Sequence, residues 1–133
     1  QLTAKVCQAL KLQDVTRVVL ASPGIREIAA LFPLVLEAAR RRDYVAQQLC
    51  EEAGCDLAEL ALALLRRTGW LRRVVPVVCA GGVFRASARI RRSFKAHIRK
   101  QAPAARVLLL RHQPVEGALA LARELAAHGQ GRA

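Results

Sequence analysis

The sequence predicts an α/β fold with a helical first half and a second half that alternates strand, helix, strand and helix. Two apolar runs carry this prediction, because residues 74–80 (VVPVVCA) and 106–110 (RVLLL) have the length and composition of buried strands. Between them, residues 88–101 place apolar side chains at helical spacing. A strand–helix–strand order favours two parallel strands joined by a crossover helix.

The first half of the chain is a series of predicted helices. Helical patterns cover residues 2–12, 25–31 and 33–41. Ser22 is the expected N-cap of the second of these helices, with Pro23 at its first position. Residues 15–20 (VTRVVL) are either a short strand or an extended link.

A long helix is predicted from about residue 44 to 67, with Asp43 as its N-cap. We expect its buried face to consist of the apolar residues that recur at threes and fours, Val45, Leu49, Ala53, Leu57, Leu60 and Leu64. Gly54 inside this helix costs about 1 kcal/mol relative to alanine. It either allows close packing of another helix or has no packing role, and we favour the second interpretation.

The second half begins with the strand over 74–80, which we expect to be buried on both faces although Pro76 cannot donate to a sheet ladder. Ser87 is the expected N-cap of helix 88–101. Its inward residues are Ile90, Phe94, His97 and Ile98. Pro114 opens a last helix over about 115–127, and we expect one domain over 1–133: a helical part (1–68), an α/β part (70–127) and a frayed tail (128–133).

The charge of the chain is strongly asymmetric. The net charge is +12, but residues 1–60 carry seven lysines and arginines against eight acidic residues, so the excess lies in the second half. Such asymmetry indicates nucleic acid, a phosphate ligand or an acidic partner surface. Helix 88–101 has a basic face of Arg89, Arg91, Arg92, Lys95, Arg99 and Lys100. No aromatic residues alternate with these charges to stack bases, so we expect a solvated face, or one facing an acidic domain, rather than a nucleic-acid site.

Neither a metal site nor a catalytic constellation is predicted. The four cysteines, Cys7, Cys50, Cys55 and Cys79, match no zinc or redox spacing, and we expect reduced thiols in a cytoplasmic protein. The three histidines lack metal spacing, although His112, in the loop after the second strand, is placed to face a ligand. The acidic residues are expected to face solvent. No apolar run is long enough to cross a membrane, and no membrane partner is expected.

Gly81-Gly82 follows the first strand at the point where α/β folds bind ligands. Two residues without Cβ atoms let the backbone approach a ligand and adopt positive φ. The start of the next helix adds free N–H donors. The alternative is a tight strand-to-helix turn without a ligand, since the sequence has neither a GxGxxG fingerprint nor a P-loop.

Three stretches carry a resemblance to a known family. They are residues 28–46 (IAALFPLVLEAARRRDYVA), 75–84 (VPVVCAGGVF) and 114–122 (PVEGALALA). In this order and at these separations they resemble the C-terminal part of the BadF/BadG/BcrA/BcrD-type ATPases, a family that includes N-acetylglucosamine kinases. The resemblance covers about residues 25–127 and implies the helix-rich C-terminal half of a ribonuclease-H-like, actin-like ATPase fold.

The resemblance also implies a function. In the family, ATP lies between two domains, and a strand ending in a glycine pair contacts the adenosine. If the matching positions have the same roles as in the family, Gly81, Gly82 and Val83 would contact the adenosine, and Gly117 would lie close by at the start of the last helix. The family's phosphate loops and sugar-activating acid lie upstream of the matched region. Arg42-Asp43 departs from the family's usual Gly-Asp before the long helix.

We therefore expect a piece of a larger ATP- and Mg²⁺-dependent carbohydrate kinase that phosphorylates an amino sugar. The chain begins with Gln1 and contains no methionine, which fits a piece better than a whole enzyme. By itself the chain is expected to be inactive. A further possibility is a homodimer formed through the face that the missing domain would otherwise cover. The alternative is a non-enzymatic basic module that binds nucleic acid or an acidic protein.

Overall fold

The computed structural model describes residues 2–10, 24–110 and 114–129. In chain order, these residues form α1 (Leu2–Ala9), α2 (Ile25–Ala30), α3 (Phe32–Arg40), α4 (Tyr44–Arg67), β1 (Pro76–Cys79), α5 (Gly82–Ala86), α6 (Ala88–Gln101), β2 (Arg106–Leu109) and α7 (Pro114–Gly129). The architecture is helix-rich with a small parallel sheet, as the α/β prediction requires. The short strand or extended link at 15–20, the cap at Ser22-Pro23 and His112 lie outside the described residues.

The ends of α4 and α6 were predicted correctly, because their caps depend only on residues that are close in the sequence. The Asp43 carboxylate accepts a hydrogen bond from the Ala46 amide at 3.0 Å and begins α4. The Ser87 hydroxyl accepts one from the Ile90 amide at 3.2 Å and begins α6. Gly69, with φ of +68°, follows the last turn of α4 in the left-handed conformation that glycine favours.

The predicted buried face of α4 was wrong. Val45, Leu49, Leu60 and Leu64 are exposed, whereas the buried residues are Ala46, Cys50, Gly54, Ala58, Leu62 and Leu65. Both sets recur at helical spacing, so periodicity alone could not separate them. The set that is buried is rich in small side chains, which allow a second helix to approach closely.

That second helix is α6, and Gly54 lies at the crossing. A Cβ atom on Gly54 would lie 2.7 Å from the Ile90 carbonyl oxygen and 2.8 Å from the Ser93 Cβ. Our interpretation of Gly54 as a residue without a packing role was therefore wrong. The glycine costs helix propensity, but it lets the backbones of α4 and α6 come together, and Ile90, Phe94 and Ile98 of α6 are buried as predicted.

The two strands pair in parallel, with Pro76 opposite Arg106 and Cys79 opposite Leu109. The expectation that β1 is buried on both faces was wrong, because Val78 and its partner Leu108 are about half exposed. Only the face that carries Cys79 packs on the helices. The described residues of α7 do not cover the other face, since every side chain from 115 to 127 is exposed.

Pro76 stands at the first position of β1, where its missing N–H breaks little pairing. The ladder is extended by the residue before it, since the Val75 carbonyl accepts a hydrogen bond from the Arg106 amide at 2.8 Å. At the other end the Cys79 carbonyl accepts from the Leu110 amide at 2.9 Å. The carboxyl ends of both strands therefore lie side by side.

The core has two parts joined by shared neighbours. The larger part packs α4 and α6 on the inner face of the sheet, and its buried residues are Ala58, Leu62, Leu65, Cys79, Phe94, Ile98, Ala102 and Ala105. The smaller part joins Leu36 of α3 to Cys50 and Ile90. Phe84 of α5 packs against both parts, so the segment after the glycine pair is fixed to the whole core.

Candidate functional site

The Gly81-Gly82 turn connects the end of β1 directly to a short helix. Gly81 has φ of +98°, a conformation that side-chain-bearing residues rarely adopt. Its carbonyl accepts a hydrogen bond from the Arg85 amide at 3.2 Å, which closes the first turn of α5. A Cβ at either glycine would meet no atom within 4 Å, so the space in front of the turn is open.

The short helix α5 was not predicted, and an aromatic pair fixes it. The rings of Phe84 and Phe94 meet edge to face, with centroids 5.2 Å apart and planes at 78°. Val83 beside it remains exposed. The turn is thus held from behind by Phe84, while Gly81, Gly82 and Val83 face solvent.

A cavity of about 350 Å³, the sheet-end cavity, lies at the carboxyl ends of the two strands. It is lined by Cys79, Ala88, Arg91, Arg92, Lys95, Val107, Leu108 and Leu109. Its volume lies in the lower part of the range for small-molecule sites, which is about 300–1,000 Å³. Apolar strand ends and cationic side chains therefore share one concave surface that starts two residues before Gly81.

A second and larger cavity of about 560 Å³, the arginine cavity, lies where the α3–α4 turn meets the start of α6. Five arginines line it, Arg40, Arg42, Arg89, Arg91 and Arg92, and no acidic residue does. Leu36, Ala39, Gln47 and Cys50 complete its wall on the α3–α4 side, and Ala86, Ser87 and Ala88 complete it on the other. Arg91 and Arg92 line both cavities, so the two are neighbours.

Most of the positive charge in the arginine cavity is uncompensated. Arg89 pairs with Glu51 at 2.6 Å, and Arg91 donates to the carbonyl oxygens of Phe84 and Arg85. Among the described residues, no carboxylate forms an ion pair with Arg40, Arg42 or Arg92. The basic face predicted to be solvated is therefore partly organised around a cavity.

Two buried thiols border these cavities. Burial raises the pKa of Cys50, and the nearby Arg89 guanidinium opposes this shift without reversing it. Burial also raises the pKa of Cys79, again against a cationic neighbour, Arg91. Both thiols thus stay neutral near pH 7 and add no negative charge to either cavity. None of the four cysteines forms a disulfide with another cysteine of the described residues.

Some of the acidic residues that we expected to face solvent also join helices while their side chains remain about half exposed. Glu59 of α4 contacts His97 Nε2 at 2.6 Å and accepts from Gln101 Nε2 at 3.1 Å, and both partners belong to α6. Arg66 reaches the other Glu59 oxygen at 3.2 Å. The hydrogen bond with His97 and the charge of Arg66 hold the pKa of Glu59 below its usual range. This cluster is structural, since it lines neither of the two large cavities.

The four residues predicted to bind nucleotide are placed as follows. Gly81, Gly82 and Val83 form one continuous surface at the turn, whereas Gly117 lies in the first turns of α7 with open space around it. None of the four lines either large cavity. Arg40 and Arg42 were not predicted as site residues, although three consecutive arginines at the end of the helix predicted over 33–41 were a visible signal.

Comparisons with known proteins add no family assignment, since no protein-family model, curated protein or solved structure matches the chain. Within the described ranges, no cluster of three or more histidine, cysteine or acidic side chains is arranged to hold a metal ion. Over the same ranges, no helix combines the length and apolar character needed to cross a bilayer.

Proposed function

We propose that this chain is the adenosine-binding side of an ATP-dependent carbohydrate kinase of the ribonuclease-H-like, actin-like type. The observation that carries the proposal is the Gly81-Gly82 turn. It stands at the carboxyl end of a parallel strand, has a positive φ at Gly81 and leaves open space where side chains would otherwise stand. Backbone that is exposed in this way can approach a planar ligand closely.

The sheet-end cavity supports the same proposal. It offers apolar contacts from Val107, Leu108 and Leu109 beside the guanidinium groups of Arg91 and Arg92. An arginine plane stacks on aromatic rings, and a purine base presents such a ring. Adenine would occupy this cavity, with the ribose at Gly81-Gly82 and Val83 and with Gly117 of α7 near the same ligand.

In this proposal the remaining chemistry belongs to residues that the chain does not contain. The family's glycine-rich phosphate loops and its sugar-activating acid are not found in the sequence. Mg²⁺ and the amino sugar would therefore bind outside the present residues, and the chain alone would not catalyse turnover. Phosphoryl transfer in the complete cytoplasmic enzyme would depend mostly on positioning and on charge stabilisation.

Adenosine binding by the Gly82→Arg variant tests the proposal. The open space at Gly82 accommodates a side chain without a clash, so the variant should fold and the arginine should block the turn. We expect wild-type protein to bind adenosine in isothermal titration calorimetry and the variant to lose at least tenfold in affinity. Adenosine carries no phosphate, so attraction between the basic surfaces and phosphate charges does not contribute to the signal.

The matched control is Ala63→Arg, which adds the same charge on the exposed side of α4. This control should bind adenosine as the wild type does. Equal affinity of all three proteins, or no adenosine binding by wild type at millimolar ligand, would exclude the turn as the adenosine site.

A non-enzymatic basic module is the second candidate function, and one observation favours it. Arg92, Lys95, Arg99 and Lys100 form an exposed row on α6 without a carboxylate partner in the described residues. A nucleic acid or an acidic protein would fit such a row. If so, binding of duplex DNA should weaken steeply with added salt and should not change in Gly82→Arg.

A further inference from the structure

The arginine cavity is not lined by Gly81 or Gly82 of the proposed adenosine site. Its five arginines and its lack of acidic residues suit a separate, anionic ligand. Among the described residues, Arg89 pairs with Glu51, and the other four guanidinium groups that line the cavity have no carboxylate partner. Asp43, the acidic residue next to Arg42, directs its carboxylate to the Ala46 amide and caps α4 instead. Like charges that converge without a counter-charge repel one another, and a bound anion would relieve this repulsion.

Arg42 has an unusual backbone conformation at the end of α3, where the Asp43 amide donates to the Ala38 carbonyl at 3.1 Å and closes the helix. Its φ of +64° lies in the left-handed region, and it is the one described residue other than glycine that adopts a positive φ. A glycine would occupy this position without strain, whereas a residue with a Cβ is disfavoured there. The chain therefore keeps a strained arginine at the rim of the cavity.

We propose that the arginine cavity binds a small phosphorylated anion with two or more negative charges, at a site separate from the Gly81-Gly82 turn. Guanidinium groups donate paired hydrogen bonds that match phosphate oxygens. Arg40 and Arg42 have no ion-pair partner among the described residues and line this cavity but not the sheet-end cavity, so they can donate to such a ligand. The cavity is concave and several times larger than one phosphate group.

Two features favour a small ligand over a nucleic acid. The arginines line one open concave surface, whereas a nucleic-acid backbone requires charges spread along a groove. The cavity wall also contains no aromatic side chain on which bases could stack. The apolar side chains of Leu36 and Ala39 offer contact to a compact organic part such as a sugar ring.

The test uses inorganic pyrophosphate as the probe, titrated calorimetrically into the full chain at physiological ionic strength. The variants are Arg40→Gln and Arg42→Gly, two changes that do not alter the sheet-end cavity. The matched control is Arg41→Gln, which removes the same charge from the same turn. Arg41 pairs with Glu37 at 2.7 Å and does not line the arginine cavity.

We expect Arg40→Gln and Arg42→Gly each to weaken pyrophosphate binding at least tenfold and Arg41→Gln to change it less than twofold. Arg42→Gly should also raise the urea midpoint of unfolding, because it relieves strain while it removes a ligand contact. Loss of affinity together with a gain in stability excludes misfolding as the cause.

Three results would overturn the proposal. Equal effects of Arg40→Gln, Arg42→Gly and Arg41→Gln would show a general charge effect. Absence of pyrophosphate binding by a wild type that binds duplex DNA would assign the charge to an extended polyanion. Loss of pyrophosphate binding in Gly82→Arg would show that this anion and adenosine share one site, whereas retention of pyrophosphate binding in that variant supports two sites.

Discussion

Gly54 has the tightest packing of any glycine in the described chain. A Cβ at this position would also lie 3.1 Å from the Phe94 amide nitrogen, in addition to its close approaches to Ile90 and Ser93. Two of these three neighbours are backbone atoms, which cannot move aside as a flexible side-chain end would. The crossing of α4 and α6 therefore depends on a missing methyl group.

Gly54→Ala should lower the free energy of unfolding by about 1–3 kcal/mol, the usual cost of overpacking. The alanine gains about 1 kcal/mol of helix propensity, so a net loss shows that the clash outweighs this gain. Urea unfolding followed by circular dichroism measures the difference. Gly117→Ala is the control, since an added Cβ there meets nothing within 4 Å, and it should be neutral or slightly stabilising. A stabilised Gly54→Ala would contradict the close crossing.

At the residue scale, the sequence predicts what neighbouring residues decide. The caps at Asp43 and Ser87 follow from a side-chain oxygen placed before a helical pattern. The role of Gly54 depends on its contact with Ile90 and Ser93, some forty residues away in the sequence. No pattern in the residues around Gly54 indicates this contact. Arg42 shows the same limit in part, because its left-handed backbone belongs to the end of α3 but its place at a cavity appears only once α3, α4 and α6 are assembled.

At the scale of elements, the pair of α4 and α6 is the centre of the molecule. Its inner side is the small-residue stripe of α4 against Ile90, Phe94 and Ile98. Its outer side is closed by Glu59, which contacts His97 and Gln101 across the pair. Glu51 and Arg89 make a second link at the other end. Polar links of this kind fix how the helices align along their length.

The Glu59 cluster predicts a loss of stability in acid. Since the folded pKa of Glu59 lies below that of the unfolded chain, its contribution is fully present above the ordinary glutamate value of about 4.3 and is lost as pH falls through the folded pKa. Glu37 has the same sign, because Lys5 lowers its pKa through a hydrogen bond at 3.0 Å.

Glu59→Gln should therefore lower the urea midpoint at pH 7, and the difference from wild type should shrink by pH 3. The pH series of urea unfolding curves measures both. Glu52→Gln serves as the control, because Glu52 is exposed on α4 and has no ion-pair partner in the described residues. A constant difference between Glu59→Gln and wild type across this pH range would show that the cluster does not titrate as described.

The strands show why element type was easier to predict than burial. Their apolar runs and the helix between them correctly predicted a parallel pair. The same apolar runs suggested burial on both faces. Among the described residues, however, α4 and α6 pack on one face of the sheet, and Val78 and Leu108 on the other face remain partly exposed. Hydrophobic composition records which residues favour burial. It does not record which element covers them.

The whole molecule combines a helical first half with an α/β second half. The arginine cavity lies where the two halves meet, whereas the sheet-end cavity lies within the second half. The arginine cavity joins the α3–α4 turn to α6, and the sheet-end cavity joins α6 to both strands. Exposed apolar side chains of α7, such as Val115, Leu119 and Leu125, and the outer sheet face leave further surface free among the described residues. In the proposed enzyme these surfaces would contact the rest of the kinase or, in the isolated chain, a second copy.

The most direct test of the adenosine proposal is an NMR titration of the ¹⁵N-labelled chain with adenosine. If adenosine binds at the Gly81-Gly82 turn, amide chemical shifts should change at Cys79, Gly81, Gly82 and Val83 and at the end of β2. Little change is expected at Arg40 or Arg42. Shift changes confined to the basic row of α6, or no changes at millimolar adenosine, would contradict the adenosine proposal.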